Sequence, residues 1–393
     1  MSQTKIIVVG AGVIGLTTAL VLSKHKNLNV TVVSKHMPGD YDIEYASPWA
    51  GANFMPVGKE GSNLRAFEKS TWPEIDRICR DVPEAGIHYQ ECRVYGRKKD
   101  EGTAVGIWFQ ELMKEDPWFK DLMPDQHGLP LRGRVRDRTS VSARKHRTRT
   151  DSTKLRILHK SELPPSCDTG TSFKSVCINT AIYLPWLLSQ CLKNGVTIKR
   201  GILNHISEAP SHHSTGNASI IMNCTGLLAS KLGGVMDTTV YPGRGQIAIV
   251  RNEPGAMYTT SGTDDGSDEA LYIMQRAAGG GTIIGGCLQH GNWDSQVDPS
   301  LANRILQRAV DICPSLAPKT GKVTELSVIR HGVGLRPMRE GGIRVEKEKV
   351  GQNWVVHNYG HAGYGYQSSW GSVWDAEQKV LKILRNEGSR AKL

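Results

Sequence analysis

Hydrophobic positions change period several times along the chain, and each change marks an element. The run "KIIVVG" (5–10) is almost wholly apolar and predicts a buried strand. Residues 13–25 predict a helix, and "NVTVVS" (29–34) predicts a second strand, giving a βαβ opening. Turn-rich "MPGD" and "SPWAGAN" follow. Over 63–81, Phe67, Trp72, Ile75 and Cys79 fall near one helical face. "YLPWLLSQCLKNG" (183–195) reads as an amphipathic helix stopped by Gly195. "VTIKRGIL" and residues 218–226 read as strands, as do "GQIAIV", "ALYIMQ" and "GTIIGG" (281–286). Residues 300–313 and 372–385 predict helices. Strand patterns cluster over 240–290, while nucleotide-type elements sit at the N-terminus, near 172–230 and at the C-terminus. The expected fold is α/β: a Rossmann-type nucleotide-binding domain interleaved with an antiparallel-sheet substrate domain. The first takes 1–56, 172–238 and 325–388; the second takes 57–171 and 239–324.

Charge changes this picture in one place. The 393 residues carry a formal +11, but residues 132–156 hold ten Lys/Arg against two Asp, a net of +8, leaving +3 for the rest. That segment has few apolar residues and no sustained period, so 126–157 is expected to be a disordered basic surface insert. It has no aromatics to stack on bases, which argues against a nucleic-acid arm. No apolar stretch is long enough to cross a bilayer, so no membrane role is expected. The N-terminus reads as a strand rather than a secretion signal. Eight cysteines without a Cys-x-x-Cys pair read as reduced thiols, with no metal site.

Gly10-x-Gly12-x-x-Gly15 lies between a predicted strand and a predicted helix. There the glycines permit a tight turn, close approach of backbone to phosphates, and helix–strand packing, while the helix N-terminus offers free N–H groups. The second strand should end in an acid to grip a ribose hydroxyl. Instead it ends Ser34-Lys35-His36. Lys35 alone would favour a 2′-phosphate and hence NADP; His36 and Asp40 are two alternatives for the ribose contact.

Three further stretches, "ASPWAGANF" (46–54), "HGVGLRPMREGGIRVE" (331–346) and "VVHNYGHAGYGYQSSWG" (355–371), complete a pattern. With the glycine loop, they resemble the D-amino-acid oxidase family of flavoenzymes, which includes D-aspartate oxidases. The resemblance covers nearly the whole chain outside 126–157, with Val373 where the family commonly has Ala. It implies noncovalent FAD. Gly10, Gly12, Val13, Ile14, Gly15, Lys35, Ser47, Gly51, Ala52 and Asn53 would surround its pyrophosphate and ribose, Ile202 its adenine, and Gly365, Tyr366 and Gln367 its flavin end.

The resemblance also implies oxidative deamination of a D-amino acid, with hydride passing from Cα to flavin N5 and oxygen reduced to hydrogen peroxide. Arg336 and Tyr272 would hold the substrate carboxylate, and the Gly363 carbonyl its amine. His331, His357 and His361 are read as structural. Leu288 stands where D-aspartate oxidases carry an arginine, so neutral substrates are expected; D-aspartate oxidase is the alternative, with His290 or Arg276 in the arginine's place. Glycine- or sarcosine-oxidizing relatives, a nicotinamide dehydrogenase and a nucleic-acid binder are the remaining readings. Ala391-Lys392-Leu393, a tail over 389–393, is a variant of the peroxisomal Ser-Lys-Leu address, so a peroxisomal location and its import receptor are expected. A homodimer is carried as an open assembly.

Overall fold

Strand β1 (Thr4–Val9) is buried over most of its length, as a strand covered on both faces must be, and pairs in parallel with β2 (Leu28–Ser34) and β7 (Ile220–Asn223). The computed structural model describes residues 3–103, 106, 109–114, 116–124 and 155–390. Between β1 and β2 runs α1 (Val13–Ser23), buried from Val13 to Leu22. A helix apolar on every side needs cover on every side. The sheet, α3 (Thr180–Lys193) and α5 (Ser369–Arg390) supply it. Gly195, at φ 80°, follows α3 where the chain must turn. With β6 (Thr197–Arg200), β14 (Arg344–Val350) and β15 (Asn353–Tyr359), the first sheet has the order β14-β15-β7-β1-β2-β6.

The second sheet is built from β3 (Ile87–Gly96), β4 (Leu155–Ile157), β5 (Thr169–Ile178), β8 (Val240–Val250), β9 (Met257–Thr260), β10 (Glu269–Gln275), β11 (Thr282–Cys287) and β12 (Gln289–His290). Its order is β12-β8-β11-β10-β9-β3-β5-β4, and β13 (Val328–Arg339) pairs with β8 off this path. Its pairs are antiparallel except β3–β9. Helix α4 (Pro299–Ile312), capped by Asp298, lays Leu301, Ile305 and Ala309 on Ala248, Ile273 and Ile284. Helix α2 is Asn63–Asp81, and its Phe67, Trp72 and Ile75 are buried as the periodicity predicts. All eight cysteines are unpaired. Among the described residues no helix is long and apolar enough to cross a membrane.

Two expected segment boundaries cut through strands of the second sheet. Residues 172–178 continue β5, which pairs with β3 from Ile87↔Ile178 to Gly96↔Thr169. Residues 328–339 form β13, in register with β8 from Val328↔Val250 to Arg339↔Val240. Glycines and Pro337 break the alternation of β13, so its sequence does not look like a strand; the long partner β8 enforces the extended form. The basic insert also ends earlier than expected, because 155–157 are strand β4 and Arg156 pairs with Glu162 at 2.7 Å. The rest of the insert, 126–154, and the 391–393 tail lie outside the described residues.

Candidate active site

Strands β1 and β2 both end at the glycine loop, which fixes one end of the site. A Cβ on Gly10 would lie 2.4 Å from the Cys224 carbonyl oxygen, and one on Gly15 would lie 2.0 Å from that of Gly10. Only glycine lets α1 start this close to β1. Gly12 caps α1 without a side-chain bond, and no acid occupies the first turn. Ser34 Oγ accepts from Ala11 N (3.1 Å) and Ser47 Oγ from Val13 N (3.0 Å). The positive end of α1 therefore opens toward a cavity of about 1140 Å³. That exceeds the roughly 300–1,000 Å³ of ordinary small-molecule pockets and suits an extended dinucleotide beside a small substrate.

Gly10, Gly12, Val13, Ile14, Lys35 and Ser47 line this cavity. So do Gly51, Ala52, Asn53, Ile202, Gly365, Tyr366 and Gln367. Gly15 does not; it serves the packing just described. The 47–53 loop is held from outside by Arg276, whose guanidinium donates to the carbonyls of Gly51 (2.6 Å) and Ala50 (2.6 Å) and to Thr180 Oγ1 (2.7 Å). Arg276 is thus a brace and does not line the cavity, which removes it as a partner for an acidic side chain. Gln367 has its amide committed to the Met55 backbone (3.2 and 2.8 Å) and to Glu68 Oε1 (2.5 Å). Tyr366 Oη donates to the Ser47 carbonyl at 2.9 Å.

The substrate end is made by the second sheet. Tyr272 on β10 lies opposite Gly285 on β11, where a Cβ would sit 2.1 Å from its ring. Gly245 on β8 leaves room for Arg336, since a Cβ there would lie 2.4 Å from Nη1. Arg336 Nη1 donates to the Cys287 carbonyl (3.0 Å) and Nη2 to Tyr272 Oη (3.2 Å). Among the described residues Arg336 has no carboxylate partner. Burial raises the Tyr272 phenol above its ordinary value, so it stays protonated. Leu288, Gly363 and His290 complete this end, and Ala362 N bonds the Pro337 carbonyl at 2.9 Å, tying the Gly363 loop to β13.

None of the three histidines read as structural is placed as a base. Burial drives His361 down to about 3, and its Nε2 bonds Ser372 Oγ at 3.1 Å. His357 lies outside the cavity, between Asn223 Nδ2 (3.0 Å) and Glu348 Oε1 (2.7 Å). His331 also lies outside it.

The sequence motifs did not single out three cavity residues. Glu44 and Lys231 meet at the end nearest Lys35. Asn358, within "HNYGHAGYG", is fully buried with neither amide atom hydrogen-bonded, yet lines the cavity. An orphaned buried amide is costly and calls for a polar ligand. With the glycine cradle, it makes this chain fit FAD.

Fold and site together define a dinucleotide-dependent oxidoreductase. The chain matches the family described as DAO, FAD dependent oxidoreductase, over residues 5–374, and it belongs to that family. It is 50% identical to a D-amino-acid oxidase of Fusarium vanettenii over 386 residues, covering 98% of each chain. It is 33% identical to the D-amino-acid oxidase of Schizosaccharomyces pombe, covering 97% of each. A D-aspartate oxidase of Talaromyces thermophilus is 28% identical, with 98% of this chain and 96% of that one covered. The glycine oxidase structure from Geobacillus kaustophilus superposes with a TM-score of 0.70 at 16% identity, over 97% of this chain and 95% of that one, a likeness of fold alone. The chain is therefore a flavoenzyme of this family with FAD as cofactor, and stands nearer to these D-amino-acid oxidases than to the D-aspartate oxidase.

Proposed function

We propose that this enzyme oxidatively deaminates neutral D-amino acids to 2-oxo acids, ammonia and hydrogen peroxide. The observation that carries this reading is Arg336, a cavity-lining guanidinium without a carboxylate partner, bonded to Tyr272 and sharing its end of the cavity with Leu288. FAD, held by the glycine loop and the 47–53 loop, would supply the redox chemistry of a two-electron oxidation at the α-carbon, with oxygen as final acceptor.

The chain's own residues bind and orient. The guanidinium fork of Arg336 suits a bidentate α-carboxylate. Tyr272 accepts from Arg336, which leaves its phenol hydrogen free to donate to the same carboxylate. The Gly363 carbonyl accepts from the amine, fixing the face of Cα that is presented. His361 does not take the amine proton, since it is held neutral by burial and bonded to Ser372. In this reading the substrate amine binds neutral and needs no side-chain base. Leu288 offers a side-chain carboxylate nothing to pair with, which disfavours acidic substrates and leaves His290 as the one partner carried over from the sequence alternatives at this end.

The deciding experiment is an anaerobic visible spectrum of the purified yellow protein. Bleaching of the flavin band by D-alanine but not L-alanine is expected. Bleaching by D-aspartate with D-alanine inert would replace this reading with an acidic-substrate oxidase.

A further inference from the structure

Strand β2 ends without the acid that usually grips a ribose, yet the structure brings one to that place. Strands β2 and β6 are neighbours in the first sheet, so Lys35 and His36 after β2 and residues 201–204 after β6 line one end of the cavity. Glu44 enters the same end from the loop that follows β2. Its Oε2 accepts from Lys35 Nζ at 3.1 Å and its Oε1 from Lys231 Nζ at 2.8 Å, with 17% of the side chain exposed. Burial alone would raise this carboxyl, but the hydrogen bonds from Lys231 and Lys35 outweigh it and hold the group ionised. A carboxylate offers about four acceptor positions, so the lysines leave two for a ligand.

The second observation is His36. It is 9% exposed, its ring stacks on Tyr45 at 5.7 Å, and its Nε2 is buried with no hydrogen-bond partner. Asp42 Oδ1, at 3.8 Å, is too far to serve. A ring nitrogen of His36 and a Glu44 carboxylate oxygen lie within 4.8 Å of each other. Two hydrogen bonds of about 2.8 Å meeting at one hydroxyl oxygen span about 4.6 Å. Asp40, one alternative read from the sequence, is taken by Arg200 at 2.6 Å and does not line the cavity.

We propose that Glu44, braced by Lys35 and Lys231 beside the incompletely bonded ring of His36, is the acid that holds the adenosine ribose hydroxyls of FAD. A hydroxyl between them donates to Glu44 and meets the His36 ring. The same arrangement disfavours a 2′-phosphate, because the Glu44 carboxylate offsets part of the charge of the two lysines and would itself face the phosphate. It also disfavours a divalent cation at the His36–Asp42–Glu44 cluster, since the two ammonium groups bonded to Glu44 would repel it.

The test uses the full-length chain stripped of flavin and measures binding of ADP and 2′,3′-dideoxy-ADP by titration calorimetry, with Glu44→Gln alongside. The native chain is expected to prefer ADP by roughly tenfold or more. Glu44→Gln is expected to bring the two ligands within about twofold and to weaken FAD binding, while saturating FAD still gives a yellow protein. A native chain indifferent to the hydroxyls, or a preference that survives Glu44→Gln, overturns the assignment. So does zinc or calcium binding that displaces ADP. If Glu44→Gln does not fold, Glu44→Asp, with charge kept and reach shortened, must also lower the preference. No amino acid enters the experiment, so its failure leaves the proposed substrate standing, and the converse holds.

Discussion

In the proposed function, Arg336 and Leu288 set what the cavity accepts. Arg336→Lys keeps the charge but loses the planar fork and the bond geometry to Cys287 and Tyr272. Loss of a charge-assisted bidentate contact is worth about 1.5–3 kcal/mol, so steady-state kinetics should show a raised KM and kcat/KM for D-alanine lowered roughly 10–100-fold. Unchanged kinetics would place the carboxylate elsewhere. Leu288→Arg introduces a cation where the isobutyl group now lines the cavity. The ratio of D-aspartate to D-alanine turnover should rise about tenfold or more; a flat ratio would mean that Leu288 does not face the substrate side chain. Both residues are legible in the sequence, because "GLRP" and "GGCLQHGNWD" hold their spacing. The place of Glu44 in the cavity is not legible, because its lysine partners come from separate segments and nothing local distinguishes it from a solvated acid.

Elements meet at one buried carboxyl. Glu68, on α2, accepts from Val57 N (3.2 Å) and Gly58 N (2.9 Å) and from Gln367, which precedes α5. Burial pushes it from the ordinary 4.5 up to about 7 despite these bonds. A raised folded value means that the folded state holds its proton longer than the unfolded chain. The stabilisation is fully present below about pH 4.5 and is lost as pH rises toward 7. Glu68→Gln cannot titrate, so its melting temperature should gain on that of the native protein between pH 5 and 8. A constant gap would show that Glu68 does not titrate in that window. Elements with a clean period, such as α1, α2 and α4, are legible from sequence because one stripe or the whole helix surface is apolar. Strand β13 is not, since Gly332, Gly334 and Pro337 erase the alternation and only pairing with β8 extends it.

At the scale of the molecule, the chain passes repeatedly between two sheets, and the cavity lies where their strand ends meet. The basic segment attaches at β4, where Leu155↔Phe173 and Ile157↔Thr171 pair with β5. Deleting 130–154 should leave the flavin spectrum and melting temperature as they were. Extending the cut through Ile157 removes buried Leu155 and the strand, and should lower the melting temperature by roughly 2–4 °C for each kcal/mol lost. Loss of folded protein in the shorter deletion would show that the segment is needed.

The sequence by itself determined the nucleotide end and the cofactor class, and it pointed to Arg336 for the substrate carboxylate. These depend on short spacings: glycines that permit close backbone approach, and motifs whose members are near neighbours in the chain. Only the tertiary structure decided which sheet carries Arg336, that Arg276 braces a loop, and that Glu44 stands where strand β2 lacks an acid. Each of those depends on groups far apart in sequence, brought together by strand pairing and burial rather than by any local pattern.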